Sequence, residues 1–253
     1  MKITFLGTGT SQGVPVIACN CEVCLSENKK DKRLRSSVLI EEKGKTIVIY
    51  TGPDFRQQML RANIQQLDAV VFTHEHKDHI AGLDDVRAFN FKQKQDMPIY
   101  ATTDVQEALK REFYYAFAEK KYPGVPLLQL KTIANEPFSI GDVVLTPIDV
   151  WHYKMPVKAF RINNFTYITD ANSIDEDEKE KIKGSDIIVI NALRKEPHIS
   201  HFTLDEAVAL LKELQPKKAY LTHISHLLGK HDDVQQELPD FIEIAHDGLE
   251  LNC

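Results

Sequence analysis

The sequence of 253 residues lacks any long apolar segment. A membrane-spanning helix needs about 20 mostly apolar residues in a row, and every apolar run in this chain is interrupted well before that length. The opening Met1-Lys2-Ile3 leads straight into Thr4-Phe5-Leu6-Gly7, which is too short and too soon broken for an export signal. We therefore expect a cytoplasmic protein with no membrane partner.

An excess of basic residues is also absent. Lys and Arg total 31 against 37 Asp and Glu, which gives a net charge of −6. A broad nucleic-acid surface is normally basic, so nucleic acid is not expected as a partner. The negative charge does not exclude a small phosphate ester, because bound metal ions supply positive charge locally.

Linkers and repeats are missing as well. With 43% hydrophobic residues and no composition break, the chain is expected to form one domain over residues 1–253. Strand-like runs alternate with helical patterns along the chain. Thr203-Leu204-Asp205-Glu206 has the pattern of a helix capping box, and the helix is expected to end near Leu214. Further helices are predicted over residues 54–63, 83–91, 104–117 and 175–183.

Cysteines are few, and three of the four lie close together. Cys19, Cys21 and Cys24 are too near one another to pair sensibly, which argues against a disulfide framework. Their spacing suits three thiolate ligands of a tetrahedral structural zinc, which needs a fourth ligand. Cys253 and His226 are the two possibilities, and the terminal position of Cys253 favours His226. The alternative is a set of reduced, buried or redox-active thiols.

Histidines, by contrast, are concentrated in one segment. Thr73-His74-Glu75-His76-Lys77-Asp78-His79 contains three of the ten histidines and follows an apolar run, residues 67–72, that predicts a buried strand. His74 and His76 alternate on the extended chain and would share one metal ion. Asp78 and His79, where the next helix begins, would face a second ion. Imidazole with carboxylate favours Zn, Mn or Fe over Ca or Mg, and the alternative is a histidine-rich surface turn.

Three more candidate ligands stand where predicted strands end. One such residue by itself is more often a turn or cap residue. Their shared position is the usual place for a site built on a rigid sheet with variable loops. They are His152 after residues 143–151, Asp170 after residues 165–169, and His223 after residues 219–222.

In the order of these ligands the chain resembles the metallo-β-lactamase superfamily, from residue 1 to about residue 250. The resemblance implies an α+β fold, an αββα four-layer sandwich in which two mixed sheets pack face to face with helices outside. It also implies two divalent metal ions, Zn or Mn, at one edge of the sandwich. The first ion would take His74, His76 and His152, and the second Asp78, His79 and His223, with Asp170 bridging the two.

Three further segments resemble the PhnP-type phosphodiesterases within that superfamily: residues 5–11 (FLGTGTS), 78–85 (DHIAGLDD) and 201–204 (HFTL). The resemblance implies hydrolysis of a five-membered cyclic phosphodiester on ribose. It also implies a structural zinc beside the active site, with His226 joining the three clustered cysteines. The related tRNA 3′-end nucleases fit less well, because the long Lys-, Arg- and Gly-rich arm usual in them has no counterpart in this sequence.

One predicted ligand and three residues near the ligands have further expected roles. By the same resemblance His201 projects toward the substrate phosphate, as an anion contact or as the acid that protonates the leaving oxygen; the alternative is a helix-capping neighbour. Asp78 is expected to act in catalysis as well as in metal binding. Asp84 and Asp85 are expected to bind sugar hydroxyls or to orient ligands.

Tyr50 departs from the pattern, because relatives usually carry an Asp at this position, beside the metal ions. A phenol donates one hydrogen bond but carries no charge near neutral pH. The substitution predicts a metal affinity, metal preference or rate that differs from those of relatives.

The sequence thus predicts a metal-dependent phosphodiesterase in which a hydroxide bridging two metal ions attacks phosphorus. The expected partner is a small phosphodiester, and a homodimer is compatible with the sequence. Because fold does not fix substrate, two alternatives stay open. One is another hydrolase on the same scaffold, a tRNA 3′-end nuclease, thioesterase or lactamase. The other is a metal-binding protein with weak catalysis.

Overall fold

The computed structural model describes residues 1–253 and contains two β-sheets of seven strands each. The strands of the first sheet are β1 (Lys2–Gly7), β2 (Ser37–Glu42), β3 (Lys45–Ile49), β4 (Ala69–Val71), β5 (Met97–Ala101), β6 (Leu128–Thr132) and β14 (Glu250–Asn252). Those of the second are β7 (Phe138–Ile140), β8 (Val143–His152), β9 (Met155–Ile162), β10 (Phe165–Tyr167), β11 (Ile187–Asn191), β12 (Lys218–Thr222) and β13 (Ile242–Ile244).

Both sheets are mixed. The first has the order β14-β1-β2-β3-β4-β5-β6, antiparallel from β14 to β3 and parallel from β3 to β6. The second has the order β13-β12-β11-β10-β9-β8-β7, parallel from β13 to β10 and antiparallel from β10 to β7. In the parallel half of each sheet the carboxyl ends of neighbouring strands therefore lie at the same edge.

Nine short α-helices connect the strands. They are α1 (Glu22–Leu25), α2 (Phe55–Arg61), α3 (Lys77–Ile80), α4 (Arg87–Gln93), α5 (Thr103–Glu112), α6 (Tyr114–Phe117), α7 (Glu176–Ile182), α8 (Leu204–Leu214) and α9 (His231–Gln235). Two 3₁₀ turns cover Lys29–Asp31 and Leu83–Val86. None of the helices is long and apolar enough to cross a membrane.

The alternation of side chains along β11 shows how the layers pack. Val189 points into the main core and clusters with Phe5 of the first sheet. Its neighbours Ile188 and Ile190 point to the opposite face and cluster with Leu211 of α8. A strand covered on both faces must be apolar at every position, as this one is. The predicted arrangement of two sheets face to face with helices outside is confirmed.

The predicted capping box of α8 is confirmed in both directions. The Thr203 hydroxyl accepts a hydrogen bond from the Glu206 backbone N–H at 3.2 Å, and the Glu206 carboxylate accepts one from the Thr203 backbone N–H at 2.8 Å. The helix ends at Leu214, and Gln215 adopts the left-handed conformation (φ 51°) before Pro216. Local sequence alone therefore determines both ends of this helix.

The prediction of one continuous helix over residues 104–117 is wrong. It breaks at Phe113 (φ −113°, ψ 39°), which separates α5 from α6. Apolar residues spaced four apart drift by about 40° per step around a helix, so the stripe that begins at Val105 leaves the core after about two turns. The break keeps both Phe113 and Ala116 buried. The predicted helix over residues 83–91 likewise consists of a 3₁₀ turn followed by α4.

Candidate metal centre

Strand ends from both sheets and one short helix bring the seven predicted metal ligands together. Asp170 and His223 both have a left-handed backbone, with φ 56° at each. Such conformations are uncommon outside glycine and cluster at functional sites. The ligands are His74 and His76 after β4, Asp78 and His79 in α3, His152 at the end of β8, Asp170 after β10, and His223 directly after β12.

The first group consists of His74, His76 and His152. The ring centroids lie 4.6 Å apart for His74 and His76, 5.1 Å for His76 and His152, and 5.7 Å for His74 and His152. Ring spacings of this size suit a single Zn²⁺ or Mn²⁺ ion. By ligand atoms within 4.8 Å, however, His152 groups with Asp170 and His201 rather than with His74 and His76, so the ring spacing alone supports this first group. His74 is buried whereas His76 is exposed, so this group is open to solvent on one side.

The second group consists of Asp78, His79 and His223, whose ligand atoms lie within 4.8 Å of one another. The Asp170 carboxylate stands against it, with Oδ2 3.4 Å from His79 Nε2 and Oδ1 3.3 Å from His223 Nε2. Asp170 also groups with His74 and His79 within the same limit. It therefore lies between the two sets of ligands, where the bridging role was predicted.

Several buried atoms of this centre have no hydrogen-bond partner. They are His74 Nε2, both ring nitrogens of His79, Asp170 Oδ2 and His201 Nδ1. An unpaired buried polar group costs about 1–3 kcal/mol, and a protein rarely gathers several of them without a ligand. Imidazole nitrogens and carboxylate oxygens aimed at one point fit divalent metal ions.

The outer ring nitrogens of three histidines are anchored. His74 Nδ1 lies 2.8 Å from Thr73 Oγ1, His152 Nδ1 lies 2.8 Å from the Ser200 carbonyl oxygen, and His223 Nδ1 lies 3.1 Å from Ser36 Oγ. Such partners fix the orientation of the ring and the nitrogen left for the metal. His76, which is exposed, has no such partner, and neither has His79 Nδ1, although it is buried.

Burial and mutual charge set the protonation of these groups. Burial holds the pKa of His74 well below its usual value and also lowers the pKa of His223. Burial opposes ionisation of Asp170, but His223 and His79 outweigh it and keep the pKa of that carboxyl well below its usual value. Burial opposes protonation of His79, but Asp170 and Asp78 outweigh it and raise the pKa of that imidazole to about 10. A divalent cation that binds here would displace this proton, since the binding forms are neutral imidazole and ionised carboxylate.

His201 lies beside the ligands of both groups. Its ring centroid is 4.6 Å from that of His152 and 4.9 Å from that of His223. Nδ1 is 4.0 Å from Asp170 Oδ1, and burial lowers the pKa of His201 to about 3. The His198 ring, 5.1 Å away, stands behind it. His201 is thus placed to meet whatever binds at the centre.

Asp84 and Asp85 make no hydrogen bond or ion pair with the metal centre. Asp84 accepts a hydrogen bond from the Tyr115 hydroxyl at 2.7 Å and pairs with Arg87 at 3.1 Å. Asp85 lines a groove together with residues of α2 and α4. These contacts do not support the substrate-binding role expected for the two carboxylates.

The three clustered cysteines meet His226. The distances from His226 Nδ1 are 3.4 Å to Cys19 Sγ, 3.3 Å to Cys21 Sγ and 3.6 Å to Cys24 Sγ. All four ligand atoms lie within 4.8 Å of one another. Cys253, the other candidate for the fourth ligand, lies instead beside the amino terminus, where its backbone pairs with Met1.

A set of hydroxyl groups behind the ligands was not anticipated from the sequence. The Tyr50 hydroxyl lies 2.5 Å from Thr73 Oγ1 and 2.6 Å from Thr169 Oγ1. Thr73 and Thr169 each directly precede a ligand, His74 and Asp170. A Thr immediately before a predicted ligand is the signal that points to such a role, but the partner on a distant strand is visible only in the fold.

The chain matches a known protein family over most of its length. The sequence model described as β-lactamase superfamily domain matches residues 45–224. An octanoyltransferase from Porphyromonas gingivalis is 38% identical over 253 residues, which cover 99% of this chain and 51% of the relative. The chain therefore spans about half the length of that relative.

Solved structures match this chain along almost its whole length. A diphosphatase from the PhnP family is 40% identical with a TM-score of 0.93, and the match covers 99% of this chain and 96% of that one. Zn²⁺-bound PqqB from Methylobacterium extorquens is 19% identical with a TM-score of 0.81 over 100% of both chains. At that identity the likeness shows the fold alone.

Proposed function

The chain belongs to the metallo-β-lactamase superfamily, and from that premise we propose that it is a metal-dependent hydrolase. Its reaction is hydrolysis of a P–O bond of a small phosphodiester with two divalent metal ions. The observation that carries the proposal is the set of buried, unpaired imidazole and carboxylate atoms that converge at one edge of the sandwich. The similarity to a PhnP-family diphosphatase supports chemistry at phosphorus.

Each residue of the centre has a role in this proposal. Two divalent cations, when bound, would supply the positive charge that activates water as a nucleophile and offsets the charge of the phosphate. Asp170 lies between the two sets of ligands and would bridge the two ions. His201, whose Nδ1 has no partner, contacts a substrate oxygen. One ion would be held by His74, His76 and His152, and the other by Asp78, His79 and His223.

An acidic cleft of about 720 Å³ lies near the metal centre, but none of the seven ligands lines it. It includes Glu75 and Trp151, whose side chains alternate along the extended chain with those of the ligands His76 and His152. Five carboxylates and one amine, that of Lys158, line the cleft, and the amine is paired with Asp149 at 2.5 Å. An acidic surface next to the centre repels a long polyanion such as RNA, which favours a small substrate.

A diphosphate is the second candidate substrate. The PhnP-family structure that is 40% identical to this chain is described as a diphosphatase. A diphosphate ester presents the same attack at phosphorus, with a phosphate in place of an alcohol as the leaving group. The match covers only 51% of the octanoyltransferase relative, so that name does not by itself assign acyl transfer to the half that this chain matches.

The test is a panel of substrates with Mn²⁺-loaded protein. We expect turnover of bis(p-nitrophenyl) phosphate, or of a diester of diphosphate, and none of p-nitrophenyl phosphate, a β-lactam or p-nitrophenyl octanoate. Asp170→Ala should be inactive, and Cys253→Ser, far from the centre, should match wild type. Turnover of the lactam or the octanoate ester alone would reject the proposal. No turnover with any metal would favour a metal-binding protein.

A further inference from the structure

The two halves of the metal centre differ in how their ligands are supported. His74, His152 and His223 each have a hydrogen-bonding partner at the outer ring nitrogen. His76 and His79 have none, but His76 is exposed to water, whereas His79 Nδ1 is fully buried. Outer partners orient a ligating imidazole and raise its basicity. The second group therefore contains one buried ligand that neither protein nor solvent supports from behind.

Tyr50 is the residue that contacts both halves. It follows β3 with φ 80°, a conformation that bulky residues rarely adopt, and it is completely buried. Its hydroxyl contacts Thr73 Oγ1, which in turn contacts His74 Nδ1 at 2.8 Å. The chain of contacts thus runs from the phenol through one hydroxyl to a ligand of the first group.

At the second group it is the ring of Tyr50, and not its hydroxyl, that makes the contact. Its centroid lies 4.0 Å from the centroid of the His79 ring, with the two planes tilted by 41°. An aromatic face packs against an imidazole but accepts no ordinary N–H hydrogen bond in its plane. The ring therefore occupies space beside His79 without giving Nδ1 a partner.

We propose that Tyr50 makes the two metal subsites unequal: its hydroxyl positions His74 and strengthens the first, while its ring leaves His79 unsupported and the second weaker. Tyr50 is a positioning residue, because it acts through Thr73 and touches no substrate. The inference rests on the proposed dinuclear centre. Outer partners of metal ligands typically change affinity by about 10–100-fold, which sets the difference expected between the two ions.

The experiment is a titration of protein with Mn²⁺, followed by the EPR signal of the free ion. The protein keeps zinc at the cysteine site, since thiolates select Zn²⁺ over Mn²⁺. Wild type should bind two Mn²⁺ with affinities about 10–100-fold apart. Tyr50→Phe, which removes the hydroxyl and keeps the ring, should weaken the tighter ion by about 10-fold and leave the weaker ion unchanged.

The chain offers matched controls for both positions in the network. Tyr167 is as buried as Tyr50, but its hydroxyl has no partner, so Tyr167→Phe should bind both ions as wild type does. Thr222 directly precedes His223, as Thr73 precedes His74, and its hydroxyl is also unpaired. Thr73→Val should therefore reproduce the effect of Tyr50→Phe, and Thr222→Val should not.

Each outcome decides a different point. Two equal affinities in wild type, or the same binding by Tyr50→Phe and Tyr167→Phe, would overturn the inference. If Tyr50→Phe does not fold, Thr73→Val against Thr222→Val makes the same decision. The Mn²⁺ titration contains no substrate, so its result does not depend on turnover. Unequal binding without diester turnover would reject the proposed function and keep this inference. Turnover with equal affinities would do the reverse, and fewer than two bound Mn²⁺ would reject both.

Discussion

Replacement of Cys21 by Ser tests whether the cysteine cluster is a zinc site. A tetrahedral Zn²⁺ with Zn–S near 2.3 Å and Zn–N near 2.0–2.1 Å places sulfur and nitrogen about 3.6 Å apart. The three Sγ atoms lie 3.3–3.6 Å from His226 Nδ1. A serine hydroxyl is a much poorer zinc ligand than a thiolate, so Cys21→Ser should reduce zinc content by about one ion per chain.

The expected loss of stability follows from the packing of this loop. Its own core consists of only three buried residues, Val14, Val23 and Cys24, separate from the two main cores. With so little apolar burial, the loop depends on the metal. Zinc present at about 1,000 times its Kd stabilises the fold by about 4 kcal/mol. For a chain of this size that corresponds to a fall in Tm of about 8–16 °C.

Zinc content by mass spectrometry and thermal unfolding, measured on the same preparations, give the answer. Cys253→Ser is the matched control, because Cys253 is exposed and lies beside Met1, away from the cluster. Limited proteolysis should cut Cys21→Ser, and not the control, within residues 11–32. Equal zinc content and equal Tm in Cys21→Ser and wild type would refute the site.

Three further predictions concern other parts of the molecule. Asp170→Asn removes the charge between the two groups, so Mn²⁺ stoichiometry should fall below two ions per chain and diester turnover should fall by more than about 100-fold, with far-UV circular dichroism unchanged. Thr203→Ala deletes the cap of α8 and should reduce stability by about 1 kcal/mol in urea unfolding; Thr222→Val should not. Burial, aided by Arg33, lowers the pKa of His231 to about 4, so the unfolded chain takes up the proton first and stability falls as pH drops from about 6.5 to 4. The Tm of His231→Gln should decline less over that interval, and an equal decline would show that His231 does not contribute.

The location of the metal centre followed from the sequence because its signals are local. The segment from His74 to His79 places four potential ligands within six residues. His152, Asp170 and His223 each close an apolar run. β10 and β12 run in the same direction through the parallel half of the second sheet, and β8 shares that direction because the antiparallel β9 lies between it and β10, so all three runs end at the same edge. The capping box at Thr203 is local in the same way, and the structure confirms it.

The break at Phe113 depended partly on local sequence and partly on tertiary packing. A run of apolar residues spaced four apart predicts a helix, but it does not show how far that helix can follow the core before its stripe rotates away. Only the packing of Phe113 and Ala116 into the main core decides where the chain turns.

Other features were decided by tertiary structure alone. The Tyr50 hydroxyl meets Thr169, which is 119 positions away, and Ser36 meets His223, which is 187 positions away. In the sequence, Tyr50 stood out only because relatives usually carry an Asp at this position. No periodicity connects it with Thr73. Side chains so far apart meet only when strand pairing and sheet packing fix their backbones. The sequence by itself determined which residues can bind metal, whereas the fold decided which hydroxyl groups stand behind each of them.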